Sequence, residues 1–331
     1  MDINKQILLC GFSRSGTTWL SKIFDSVPST ILFSEPDKRV NTHLKFSKVI
    51  HCVTGLNNRA HEEYKNSLNE LLDHYYCNLR SYPYFKKQYS ALPHNLYWGV
   101  SFFLQFLNYI AEKGDFNQVK LPEFCFKKKC KADVVWKSVN QLSNIQFLQK
   151  IFPDMKIIFL LRNPFSTLTS ILNHEKMTID GQDFRRIYER KGAPFFEKYD
   201  IDFKEISSWC ELKKKALLWR IDCESAYIKG TDNPNFMTVL YEDLASDPAD
   251  MTEKIFNFLG FKVPMETRRF LLQSSGKLNP PLISKIISSG YFGVYRKSGT
   301  NLNKWKNMIS DKNFELISSV LENSPLMKFW Q

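Results

Sequence analysis

A chain of 331 residues, 43% hydrophobic and 15% aromatic, is long enough for one large α/β domain or two of ordinary size and too apolar for global disorder. Its 46 Lys and Arg against 34 Asp and Glu leave a net charge of +12 that favours anionic ligands; the densest run, Lys127-Lys128-Lys129 with Lys131, reads as a solvated loop, so no nucleic-acid partner is expected. No stretch reaches the ~18 apolar residues of a membrane span, and seven cysteines without a C-x-x-C point to reduced thiols in a cytoplasmic protein.

The chain enters its first strand almost at once, which leaves no room for a signal peptide and suggests a cytoplasmic protein or a catalytic fragment of an anchored one. The apolar run Ile7 to Cys10 is cut by Gly11, and after Gly16 the segment Thr17 to Phe24 carries apolar residues at helical spacing. This is strand, tight loop, helix: the glycines let backbone N–H groups turn inward on an anion, and the helix N-terminus adds donors and the positive end of its dipole. In a nucleoside-triphosphate loop, Gly-x4-Gly is followed by Lys and a magnesium-binding hydroxyl. Here Thr17 stands where that Lys belongs, the cation is Arg14 inside the loop, and the later strand Lys156 to Leu161 runs into Arg162 with no metal-binding Asp. An anion held by cations and N–H groups, without a metal, fits this pattern better than a magnesium nucleotide.

Thr30 to Phe33 reads as a short second strand that delivers Glu35 at its tip. From Asn41 to Gly114 the pattern is helical, with Tyr64, Leu68, Leu71, Leu72 and Tyr75 at 3–4 spacing and an apolar run from Trp98 to Ile110. Such an insert, about residues 41–114, is where an α/β enzyme can build an acceptor pocket. Ala132 to Lys137 restores a strand, followed by a helix around Ser143 to Ile151, the strand Lys156 to Leu161, and a helix with Asn163 as N-cap and Pro164 in its first turn. A long helix is expected from Phe203 to Lys229, then a strand, Phe236 to Leu240, ending in Tyr241-Glu242-Asp243-Leu244. A helix from Pro248 to Leu259, a polar loop from Lys277 to Lys306 and a last helix near Asp311 to Leu321 complete the chain. Repeated strand–helix units imply an α/β fold: a central parallel sheet with helices on both faces, P-loop nucleotide-kinase-like, in one domain spanning 1–331, with ligands at the carboxyl ends of the strands.

Four sites then lie at strand ends: Arg14 to Thr18, Glu35, Lys137 with Ser138, and Arg162 with Ser170. In these residues the chain resembles the sulfotransferases that use 3′-phosphoadenosine 5′-phosphosulfate (PAPS). The resemblance implies that the loop Arg14-Ser15-Gly16-Thr17-Thr18, continuing into Trp19, binds the 5′-phosphosulfate. It implies that Arg162, with Ser170 eight residues later, binds the 3′-phosphate, that Tyr241 lies against the adenine region, and that Arg296, Lys297 and Ser298 close over the 3′-phosphate. Ser298 departs from the family's Gly. Soluble small-molecule members carry a His two residues after a Lys, a position held here by Val139, whereas the tyrosylprotein type and several bacterial members carry a Glu 21 residues after the loop Arg. Glu35 has that spacing from Arg14, so it is the expected base, with His43 and His51 as fallbacks. Lys137 and Arg14 would stabilise charge on the departing nucleotide while Glu35 takes the acceptor proton. The expected reaction is sulfuryl transfer from PAPS, with no metal, to a hydroxyl of a sugar, lipid, phenol or peptide tyrosine. The alternatives are a nucleotide kinase, which Thr17 disfavours, and a non-catalytic nucleotide-binding module, in which Glu35 and Lys137 would have no evident purpose.

Overall fold

The computed structural model of the chain describes residues 2–35, 83–113, 125, 131–174, 203–206, 208–281, 294–295 and 302–330. Five strands form one parallel sheet: β1 (Asp2–Gly11), β2 (Thr30–Ser34), β3 (Lys131–Ser138), β4 (Lys156–Leu161) and β5 (Phe236–Leu240), in the order β2-β3-β1-β4-β5. The chain leaves β1 for the far edge, returns through β3 beside it, then crosses to β4 and β5 on the other side. That reversal opens a crevice at the carboxyl end of β1, where open α/β sheets receive ligands.

Among the described residues the α-helices are α1 (Thr17–Asp25), α2 (His94–Lys113), α3 (Ile145–Ile151), α4 (Pro164–His174), α5 (Phe203–Ile206), α6 (Glu211–Gly230), α7 (Tyr241–Ser246), α8 (Pro248–Leu259), α9 (Met265–Ser274) and α10 (Asp311–Leu321). Strand alternation sorts them into two layers. Leu8, Cys10, Val134, Trp136, Ile157 and Phe159 face a core completed by α3, α4, α6 and α10, whereas Ile7, Leu9, Val135, Ile158 and Leu160 face α1, α8 and α9. Burial on both faces explains why the central strands read as continuous apolar runs rather than as alternating ones. The parallel sheet with helices on both faces expected from the sequence is therefore present.

One local reading needs correction, and two helices are added to those expected. The helix expected from Phe203 to Lys229 is two helices: the Ser208 hydroxyl and N–H both bond the Glu205 carbonyl (2.7 and 3.0 Å), a side-chain competition that ends a helix, and Cys210 is extended at ψ 158° before α6 begins. Tyr241 does not merely close β5; it opens α7. The stretch Met265–Ser274, given no element from the sequence, is helix α9. Of the expected insert, α2 is described and is longer than the apolar run suggested. The helical pattern around Tyr64 to Tyr75 lies outside the described residues, as do Lys127 to Lys129.

A buried charge cluster fixes the turn between α1 and β2. Asp25 pairs with Lys22 at 3.0 Å and Lys87 at 3.1 Å, and Lys87 also donates to the carbonyls of Val27 and Thr30 at 3.0 Å. Cys10, Cys125 and Cys223 are buried free thiols, and burial pushes all three above the usual thiol range, so none of them offers a nucleophile. Among the described residues no helix is long and apolar enough to cross a membrane.

Candidate active site

Each of the five strands delivers one expected site residue at its carboxyl end: the Arg14 loop after β1, Glu35 after β2, Lys137 in β3, Arg162 after β4 and Tyr241 after β5. Sheet register accounts for the convergence, since Lys137 is paired with Leu9 of β1 and with Ser34 of β2.

The loop is a tight turn closed by the Ser15 N–H donating to the Phe12 carbonyl at 3.1 Å. Arg14 and Gly16 both lie in the left-handed region, at φ 67° and 98°. Gly11 is required for space, because a Cβ there would stand 2.6 Å from both the Leu160 carbonyl oxygen and Ser15 Oγ. α1 then starts at Thr17 with Gly16 as N-cap, without a side-chain cap and without an acidic residue in its first turn. Its leading N–H groups and the positive end of its dipole are thus left for an anion rather than met by the protein's own carboxylate. Ser15 Oγ and Trp19 Nε1 are buried without a hydrogen-bond partner among the described residues, a donor set that an anionic ligand at this loop would satisfy.

Arg162 and Ser170, paired by the family resemblance, meet the loop directly. Arg14 Nε donates to Ser170 Oγ at 3.2 Å, and Arg162 Nη1 donates to the Arg14 carbonyl at 2.8 Å. α4 is aimed by its own cap: Asn163 Oδ1 accepts from the Ser166 N–H at 3.1 Å, and Pro164 occupies the first helical position. Ser170 therefore faces the loop. The Tyr241 ring lies under the Arg162 guanidinium, 4.3 Å from Cζ to centroid, and meets Trp19 edge-on at 6.3 Å. It also backs onto the loop, since a Cβ at Gly16 would come within 2.6 Å of its Cδ2 and Cε2.

On the other side of β1, Glu35 and Lys137 form an ion pair, and the Glu35 N–H donates to the Lys137 carbonyl at 2.7 Å. The Lys137 side chain is 4% exposed and that of Glu35 21%, so the ammonium lies in the floor and the carboxylate reaches the open side. Glu35 has φ 50°, a left-handed backbone that turns the strand end sharply.

Four contacts escaped the sequence reading. Ser166 Oγ accepts from Arg162 Nη2 at 2.7 Å; its signal was the four-residue spacing from Arg162 into a capped helix. Glu242 accepts from the Asn163 N–H at 3.0 Å and from Trp330 Nε1 at 3.3 Å, joining the chain's last turn to the start of α4, and Trp305 stacks on Phe165 of that first turn at 5.3 Å. None of these three pairings has a local sequence signal. The expected phosphate-closing residues Arg296, Lys297 and Ser298, and the fallback bases His43 and His51, lie outside the described residues.

A sulfotransferase domain from the curacin biosynthetic pathway aligns over 97% of this chain and 99% of its own, at 14% identity and a TM-score of 0.44. A mouse sulfotransferase complexed with PAP aligns over 100% and 91%, at 15% identity and a TM-score of 0.42. Carbohydrate sulfotransferase 1 of Rattus norvegicus is 26% identical over 162 residues and that of Homo sapiens 26% over 157; each alignment covers 47% of this chain and 34% of the relative. This chain thus spans about a third of the length of the curated relatives it matches. The model of the sulfotransferase family matches residues 6–265, and the chain belongs to that family.

Proposed function

We propose that this protein transfers a sulfuryl group from PAPS to a hydroxyl of an acceptor, with a carbohydrate as the acceptor class. The observation that carries the reading is the pair of hydrogen bonds from Arg14 to Ser170 and from Arg162 to the Arg14 carbonyl, which build two anion-binding motifs into one cradle. A donor with anionic groups at both its 5′ and 3′ ends suits such a cradle, whereas a 5′-triphosphate alone uses only the loop. The carbohydrate class is supported by the named relatives, carbohydrate sulfotransferases of rat and human.

The reaction balances as acceptor hydroxyl plus PAPS giving sulfate ester, the bisphosphate PAP and a proton. Ser15, Gly16, Thr17 and Thr18, with the open end of α1, hold the phosphosulfate, and Trp19 lines the loop's flank. Arg162 and Ser170 take the 3′-phosphate: a planar guanidinium fork suits a dianion, and the hydroxyl adds a donor. Tyr241, under Arg162, supports the adenine side. Arg14 and Lys137 oppose the negative charge that develops at the leaving oxygen, and the buried setting of Lys137 makes its charge count for more than it would in water. Glu35, on the open side of the pair, takes the acceptor proton.

The test is incubation with sulfur-labelled PAPS and a panel of carbohydrate, phenol, lipid-alcohol and tyrosyl-peptide acceptors. Label is expected in a carbohydrate with one equivalent of PAP. Absence of labelled product and of PAP formation with every class, or phosphoryl transfer from ATP instead, would overturn the reading.

A further inference from the structure

The Arg162 fork is oriented by the protein's own groups before any ligand meets it. One arm holds the Arg14 carbonyl at 2.8 Å, the other the Ser166 hydroxyl at 2.7 Å, and the plane rests over Tyr241. The Arg14 carbonyl belongs to a non-glycine residue at φ 67°, a conformation that persists only where its surroundings hold it. Ser166 is nearly buried, four residues after Arg162 and one helical turn before Ser170, which accepts from the Arg14 side chain at 3.2 Å. Ser166 and Ser170 thus lie one turn apart on α4, Arg162 stands just before the helix begins, and each of the three is tied to the loop directly or through its neighbour. Serine suits the middle position because a neutral hydroxyl fixes the direction of a guanidinium without cancelling its charge.

We infer that Ser166 is a positioning residue for donor binding: by seating Arg162 against the Arg14 carbonyl, it couples the 3′-phosphate clamp to the shape of the phosphosulfate loop. The inference rests on the proposed role of Arg162 toward a 3′-phosphate. It goes further by making the two anion clamps one unit, so that loosening Ser166 weakens the grip on the 5′ end as well.

The experiment uses two probes, PAP and adenosine 5′-phosphosulfate, the latter lacking the 3′-phosphate, with the whole chain and calorimetric or fluorescence titration. Wild type should bind PAP at least tenfold more tightly; equal binding of the two probes sinks the clamp reading itself, and the inference with it. Given that preference, Ser166→Ala should weaken both probes by about tenfold, the usual effect of losing a hydrogen bond to a charged group, and Ser166→Thr should restore both to within about threefold. In an Arg162→Ala background the Ser166→Ala change should add less than about twofold, because its effect runs through the missing guanidinium. Loss confined to PAP, no loss for either probe, or additive losses in the double variant would overturn the coupling.

Discussion

Gly16→Ala puts the packing of the loop to a quantitative test. The residue has φ 98°, which an L side chain adopts at a cost of about 1–2 kcal/mol. Its new Cβ would stand 2.6 Å from two carbons of the Tyr241 ring, and that ring cannot yield freely because the Arg162 guanidinium lies over it at 4.3 Å and Trp19 meets its edge. Overpacking of this kind adds about 1–3 kcal/mol, for a total of about 2–5 kcal/mol. Unfolding entropy of about 2.1 cal/mol/K per residue over 331 residues gives about 0.7 kcal/mol/K, so the melting midpoint should fall by about 3–7 °C. The assay is thermal unfolding of wild type, Gly16→Ala, Tyr241→Ala and the double variant. In the double variant the steric part vanishes and the backbone part stays, so the cycle should return a coupling of about 1–3 kcal/mol. A Gly16→Ala protein melting within 1 °C of wild type, or a cycle with no coupling, would refute the contact between ring and loop.

Glu35→Gln keeps the shape but cannot accept a proton at neutral pH, so turnover should fall roughly 10²–10⁴-fold with PAP affinity little changed; turnover within about fivefold of wild type removes Glu35 as the base. Asp25→Asn strips the carboxylate that Lys22 and Lys87 share in the core, and breaking such a buried pair by about 3–5 kcal/mol should lower the midpoint by about 4–7 °C, read by thermal or denaturant unfolding. PAP at a hundred times its dissociation constant should stabilise by about 2.7 kcal/mol and raise the midpoint by about 4 °C, with ATP at equal concentration raising it less; equal shifts would argue against a 3′-phosphate clamp.

What the sequence made legible was local or periodic. β1, the loop and α1 were readable because an apolar run, two glycines and helical spacing follow one another within a single stretch, and Asn163-Pro164 announces the start of α4 through cap chemistry alone. Glu35 and Lys137 were assigned by resemblance and spacing, and their pairing follows from a register in which Ser34 and Lys137 are neighbours, which no local pattern encodes. The link from Trp330 through Glu242 to Asn163 was invisible for the same reason: it joins residues 88 and 79 positions apart. The break before α6 was missed because apolar periodicity continues across it, while the decisive contact is the side chain of Ser208 on the Glu205 carbonyl.

Among the described residues, the two non-glycine positions with positive φ are Arg14 and Glu35, the residues to which charge stabilisation and proton removal were assigned. Each such backbone costs about 1–2 kcal/mol, and a loop under no other demand would relieve it with Gly or Asn. Both are braced by hydrogen bonds from outside their own turn, Arg14 through its carbonyl to Arg162 and Glu35 through its N–H to Lys137. The two braces come from β3 and from the end of β4, the strands that flank β1 in the sheet. Strain held at these two positions is consistent with the proposed site, in which charge from one strand end and a base from another face the same ligand.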